Sequence, residues 1–132
     1  MPNGDEPGQP AVRDELERAH RALADATGAR EARLSDAVII NRLYYACFHA
    51  AQAALYDRGL VPESHGGVLS LFGSEIVIEG TISREQGRFL NELSTLRKQA
   101  DYGYDTIDED VDALIDRADR FVSRIETIVS SE

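Results

Sequence analysis

The stretch SDAVIINRLYYACFHAAQAALYDRG, residues 35–59, constrains the fold more than any other part of the chain. Ser35 offers an N-cap oxygen, Gly59 a stop, and Pro62 follows, so the spacing predicts a helix over about 36–58. Turning by about 100° per residue, Asn41, Arg42, Tyr45, His49, Gln52 and Tyr56 fall within one arc of about 100°. Nearly everything else on this helix is apolar or small. Ala46, Ala50, Ala51, Ala53 and Ala54 permit close approach by neighbouring helices. A helix of this kind is a buried, central one with a narrow polar seam. Buried polar groups need partners, so the seam faces a hydrogen-bonded network, a subunit interface or a ligand cleft, unless it meets solvent with its tyrosines over the rim.

The flanking patterns are helical as well. Val12, Leu16, Ala19, Leu23 and Ala26 predict a first helix over about 11–27, with Gly28 as its C-terminal stop. A third helix is expected from near Ser64 toward Glu79, its end blurred by the β-branched residues of EIVIEGTI. Ser83 with Gln86 makes a capping box for a fourth helix over about 84–102, and Thr106 with Glu109 makes another for a fifth over about 108–130. The fifth places Val111, Leu114, Ile115, Ala118, Phe121, Val122, Ile125, Ile128 and Val129 on one face. Short connections between such helices imply antiparallel neighbours. The expected fold is all-α, an antiparallel bundle of four to five helices. Residues 1–10 hold three of the four prolines and read as a disordered tail, leaving 11–132 as a single domain.

Charge and special residues narrow the function. The 24 acidic residues exceed the 14 basic ones for a net charge of −10, and Lys98 is the one lysine among the bases. An acid-rich, lysine-poor surface fits a halophilic protein, whose self-repulsion is screened by intracellular salt. It also argues against broad, nonspecific binding along nucleic-acid phosphates, though not against a local arginine site. The lone cysteine, Cys47, cannot form an internal disulfide, no apolar run approaches a membrane span, and MPNGDEPGQP has no signal-peptide pattern. A soluble, cytoplasmic protein with no membrane partner is expected. His65, in ESHGG, reads as a residue that helps to start the third helix. No further His, Cys or acid stands at metal-ligand spacing, and there is neither a phosphate-binding glycine loop nor Gly-x-Ser-x-Gly. No metal or cofactor is expected.

The stretch LRKQADYGYD, residues 96–105, ends the fourth helix. Phe89, Leu93, Leu96 and Ala100 form its apolar stripe, and Arg97 and Asp101 lie together on the stripe's edge. An i,i+4 ion pair contributes a few tenths of a kcal/mol if exposed, so stability alone does not require it at an apolar border. A guanidinium held there is a planar, permanently charged fork suited to phosphate or carboxylate. Asp101 would orient it, and Tyr104 would supply a stacking face or a hydroxyl, or simply pack.

Taken together, NRLYYACFHAAQAAL on the second helix, a glycine and then SHGG, and LRKQADY on the fourth resemble HEPN-domain proteins (higher eukaryotes and prokaryotes nucleotide-binding), in their small prokaryotic branch. The likeness covers about residues 36–104. It implies a bundle of four or five helices, a homodimer, and association with a minimal nucleotidyltransferase, as toxin and antitoxin or as subunits of one activity. Many members of that family are metal-independent ribonucleases, with an arginine, four to six intervening residues and a histidine paired across the dimer. Arg97 matches the arginine, but positions 102, 103 and 104 are tyrosine, glycine and tyrosine. A tyrosine, with an ordinary pKa near ~10, is a poor replacement for a histidine poised near neutrality. The resemblance also implies that Tyr104, two residues past the histidine slot filled by Tyr102, is a site for adenylylation by the partner.

The expectation is therefore a non-enzymatic or weakly active HEPN homodimer. Arg97, Asp101, Tyr102 and Tyr104 would line its cleft, faced by Arg42, Tyr45 and His49, and bind a nucleotide, RNA or the partner. The alternatives are an active ribonuclease that uses Arg97 with His49 or Tyr102 in place of the missing base, and a structural helical adaptor.

Overall fold

The computed structural model describes residues 8–103 and 107–130. Its elements are α1 (Gln9–Glu31), α2 (Asp36–Asp57), α3 (His65–Leu71), which runs on into a π-helical turn (Phe72–Val77), α4 (Arg84–Tyr102) and α5 (Val111–Ser130). Among the described residues there is no strand, so the all-α bundle expected from periodicity is the fold. None of these helices is long and apolar enough to cross a membrane.

α2 packs against α1, α4 and α5 and forms the centre of the bundle. Ala46, Ala50, Ala51 and Ala53 are fully buried, as are Ala19 and Ala26 on α1. Alanine facing alanine lets the two helix axes approach closely and leaves α2 with little but backbone and methyl groups at the contact. α1 runs antiparallel to α2, since Glu15 meets His49 while Arg21 and Asp25 lie beside Arg42. It is antiparallel to α5 too, where His20 meets Glu126 and Arg30 meets Asp112. α5 buries Leu114, Ala118, Phe121, Val122 and Ile125, with Phe121 between Phe72 and Phe89. Each such large apolar side chain contributes roughly 1.5–3 kcal/mol by leaving water.

Cap chemistry sets most of the helix ends. Ser35 accepts from Val38 N–H, Ser64 from Gly67 N–H and Ser83 from Gln86 N–H. At the end of α2, Gly59 has φ +76° while Leu60 N–H bonds to Leu55 C=O and Gly59 N–H to Tyr56 C=O, the paired bonds of a Schellman cap. α4 stops at Gly103, with φ +67° and its N–H on Gln99 C=O.

The first helix departs from expectation. It does not stop at Gly28 but begins at Gln9 and runs to Glu31. Ala29 is buried beyond Gly28, and Arg30 reaches Asp112 at 2.8 Å, so packing carries the helix another turn. The same pair of cap bonds then forms around Arg33, which takes the left-handed conformation with φ +60°. Past Leu71 the third helix continues as a π-helical turn rather than an α-helix. That turn lies against Gly87, where an added Cβ would sit 2.6 Å from Val77 Cγ2. The absent side chain is what lets α4 lie so close. The expected cap Thr106 is outside the described residues; at the start of α5, Asp110 Oδ1 accepts from Ala113 N–H at 3.2 Å.

Candidate functional site

α4 carries Arg97 one turn before Asp101, and Nη1 donates to Asp101 Oδ2 at 2.9 Å. The guanidinium carbon lies 4.9 Å from the ring centroid of Tyr44, which is 1% exposed. Arg97 Nε is buried and has no hydrogen-bond partner among the described residues. The cation is therefore seated on an aromatic ring and pinned at one nitrogen, with a buried donor still unsatisfied. An unmet buried donor costs about 1–3 kcal/mol, while the 21% of the Arg97 side chain that stays exposed is the part an oxyanion can reach. Burial pushes the Tyr44 phenol up from its ordinary pKa and Arg97 pulls it partly back, so the ring stays a neutral platform near pH 7. Tyr102, in the last turn of α4, is 72% exposed. Tyr104 lies outside the described residues.

The seam of α2 turns toward α1. Asn41, Arg42, Tyr45, His49, Gln52 and Tyr56 are all half-buried, on a helix whose remaining middle is buried. His49 Nδ1 lies 2.6 Å from Glu15 Oε2, and the Glu15 side chain is only 8% exposed. A carboxylate accepts, so Nδ1 carries the proton and the other ring nitrogen, Nε2, is left for the surface. Arg42 lies over the Tyr45 ring at 5.4 Å and donates through Nε and Nη2 to Asn41 Oδ1 at 3.1 and 2.6 Å. Arg42, Tyr45 and His49 line one cavity of about 230 Å³ together with Arg18, Arg21 and Asp25 of α1.

Within one chain, then, Arg42, Tyr45 and His49 are gathered at one place and Arg97 with Asp101 at another. Between them stand Tyr44 and Tyr45, edge to face with centroids 5.1 Å apart. His65 packs over Phe48 at 4.3 Å and edges Tyr45, extending the aromatic floor. Sequence reasoning missed Glu15. Its signal was present: it falls three residues after Val12 and four before Ala19, an acid on the buried stripe of α1. Cys47 is wholly buried and its thiol is pushed far above its ordinary pKa by that burial, which keeps it from acting as a nucleophile. Among the described residues, no three His, Cys, Asp or Glu side chains gather as metal ligands.

A HEPN-domain family model matches residues 12–128, nearly the whole helical bundle. The chain belongs to the HEPN family. Over 115 residues it is 37% identical to a UPF0332 protein of Thermotoga maritima, an alignment covering 85% of this chain and 86% of that one. It is also 40% identical over 87 residues to "Putative toxin MJ0605" of Methanocaldococcus jannaschii, covering 65% of each chain. A second protein of that organism, "Putative toxin MJ0142", is 28% identical over 87 residues, 58% of its length. The alignments thus span less than two thirds of each toxin-named relative. In this HEPN bundle, α2 supplies the floor for both groups of polar residues: Tyr44 under Arg97, and Tyr45 beneath Arg42.

Proposed function

We propose that this HEPN protein is toxin-like and acts as a homodimer with a minimal nucleotidyltransferase partner, binding RNA or a nucleotide in a dimer cleft around Arg97. The observation that carries this reading is the Arg97 guanidinium, held over Tyr44 and tethered by Asp101 with a buried Nε lacking any partner among the described residues. A structural ion pair would not need the aromatic seat or leave a donor unmet. Two copies of the α4 end would set two such cations against one phosphodiester, with Tyr102 at the rim and Tyr104 as the group the partner adenylylates. The names of the two Methanocaldococcus relatives support the toxin-like part of the reading. With tyrosine and glycine following where a ribonuclease histidine would stand, binding is assigned here rather than cleavage.

The test is sedimentation together with RNA binding and RNA cleavage in molar potassium chloride, the medium suited to a chain of net charge −10. A dimer whose RNA affinity falls at least ~10-fold in Arg97→Ala, with no cleavage by either protein, is the expected result. Cleavage that disappears in Arg97→Ala would replace this reading with a ribonuclease whose base lies elsewhere. A monomer without RNA affinity would leave only a structural adaptor.

A further inference from the structure

The cavity between α1 and α2 has a composition that the Arg97 reading does not use. Three guanidinium groups, Arg18, Arg21 and Arg42, face a single lining carboxylate, Asp25. The nearby Glu15 is committed to His49, and Asp14 pairs with Arg18 at 3.4 Å. In a chain of 24 acids and 14 bases, a concave surface with three bases to one acid runs against the overall balance. The cavity beside Phe89 has two arginines to one acid, and the one beside Leu114 has two acids and no base.

Two of the three arginines are also held in a way that preserves their charge. Arg42 is oriented by a neutral amide, Asn41, and by the Tyr45 ring, neither of which neutralises it. Arg21 and Arg42 have no carboxylate partner among the described residues. The buried Glu15 fixes the ring of the lining His49, while 21% of the His49 side chain remains exposed. A purely structural pair would be served equally well by a covered ring.

We infer that this cavity is a second anion site, separate from Arg97, that takes a phosphate monoester and places it against His49 Nε2. Arg21 and Arg42, the lining guanidiniums without a carboxylate partner among the described residues, offer the positive charge that a phosphate dianion meets. An imidazole edge donates to that dianion when protonated and accepts from the P–OH of the monoanion when neutral, whereas a phosphodiester has no such proton to share. The volume of about 230 Å³ is smaller than the ~300 Å³ at which pockets begin to enclose whole small molecules, so the phosphate is held inside and the rest of the ligand projects from the mouth.

Amide NMR titration of the full chain at constant ionic strength, with inorganic phosphate, adenosine 5′-monophosphate and adenosine as probes, tests this. Phosphate and the monophosphate shift amides around Arg18, Arg21, Arg42 and His49, the monophosphate at least as tightly, and adenosine does not. Arg42→Gln weakens binding about 10-fold or more, while Arg97→Ala leaves it unchanged, so this site and the RNA cleft fail independently. Because losing His49 alone strands a buried carboxylate, the imidazole is tested in Glu15→Gln/His49→Gln, which keeps a hydrogen bond. That variant binds phosphate more weakly with its helical signal intact. Shifts that centre on Arg97 and vanish in Arg97→Ala, equal binding of adenosine, or no saturable shift by ~10 mM phosphate would each overturn the inference.

Discussion

Replacing His49 with alanine removes the group that holds a buried carboxylate in the middle of the largest helix contact. Glu15 is 6% exposed overall, and its Oε2 is 2.6 Å from His49 Nδ1. Breaking a buried pair by deleting one partner costs about 3–5 kcal/mol, because the remaining charge is left uncompensated. Here the cost lies near the lower end, about 3 kcal/mol, since the vacated imidazole opens onto the cavity and admits water. Glu15→Gln keeps a polar group opposite the ring and loses only the charge, so it costs about 1 kcal/mol. The double change Glu15→Gln/His49→Ala then costs less than the sum of the singles, and a coupling of roughly 1–3 kcal/mol reports the pair itself. Urea melts followed by circular dichroism at fixed salt and pH give these differences, provided that the slopes stay equal across the four proteins. In thermal melts, about 3 kcal/mol corresponds to a fall of roughly 10 °C for a chain of this size. A loss below ~1 kcal/mol for His49→Ala would refute the reasoning, because it would mean that Glu15 carries no uncompensated charge once the ring is gone.

Two glycines inside helices respond to alanine with opposite signs. At Gly28 an added Cβ meets nothing within 4 Å, so Gly28→Ala stabilises by about 1 kcal/mol through helix propensity and the unfolded chain's lost freedom. At Gly87 the same atom would lie 2.6 Å from Val77 Cγ2 and 3.1 Å from Cγ1. Overpacking against that stiff side chain costs about 1–3 kcal/mol and outweighs the propensity gain, so Gly87→Ala melts lower, and a higher melting point would show that the π-helical turn yields. Arg33 holds φ +60° as the left-handed residue of the α1 cap, so Arg33→Gly raises the melting temperature by a few degrees, consistent with relief of up to ~1 kcal/mol net. A fall there would indicate that the Arg33 side chain, rather than its backbone, secures the turn.

What the sequence made visible was chemistry that acts over a few residues. Ser35, Ser83 and Gly59 mark helix ends because cap bonds are local, and each cap is where the residue type predicts. The seam of α2 was visible because 3.6-residue periodicity alone sorts Asn41 through Tyr56 onto one side. Gly28 misled because a glycine is cheap at a helix end but also tolerable within a helix, and the burial of Ala29 decided the matter from outside α1. The β-branched residues of EIVIEGTI marked the end of the third helix as irregular, but the close approach of Gly87 to Val77 across ten residues had no local cue. The site behaves likewise: Glu15 and His49 are 34 positions apart, and Arg97 meets a ring on another helix. Periodicity names the face a residue occupies but not the residue opposite.

That distinction explains how two adjacent tyrosines come to serve different places. Tyr44 and Tyr45 are successive residues on α2, so their side chains leave the helix about 100° apart. One direction leads into the core beside α4, where Tyr44 is 1% exposed and backs Arg97. The other leads to the α1 side, where Tyr45 is half-buried, lies beneath Arg42 and lines the cavity. Because the two rings touch edge to face, Tyr44 cannot change size without disturbing Tyr45. Substitutions at Tyr44 therefore reach the surroundings of both Arg97 and His49, whereas substitutions at Arg97 or Arg42 act on one alone. The central helix is thus also the element that fixes the distance between the two cationic sites.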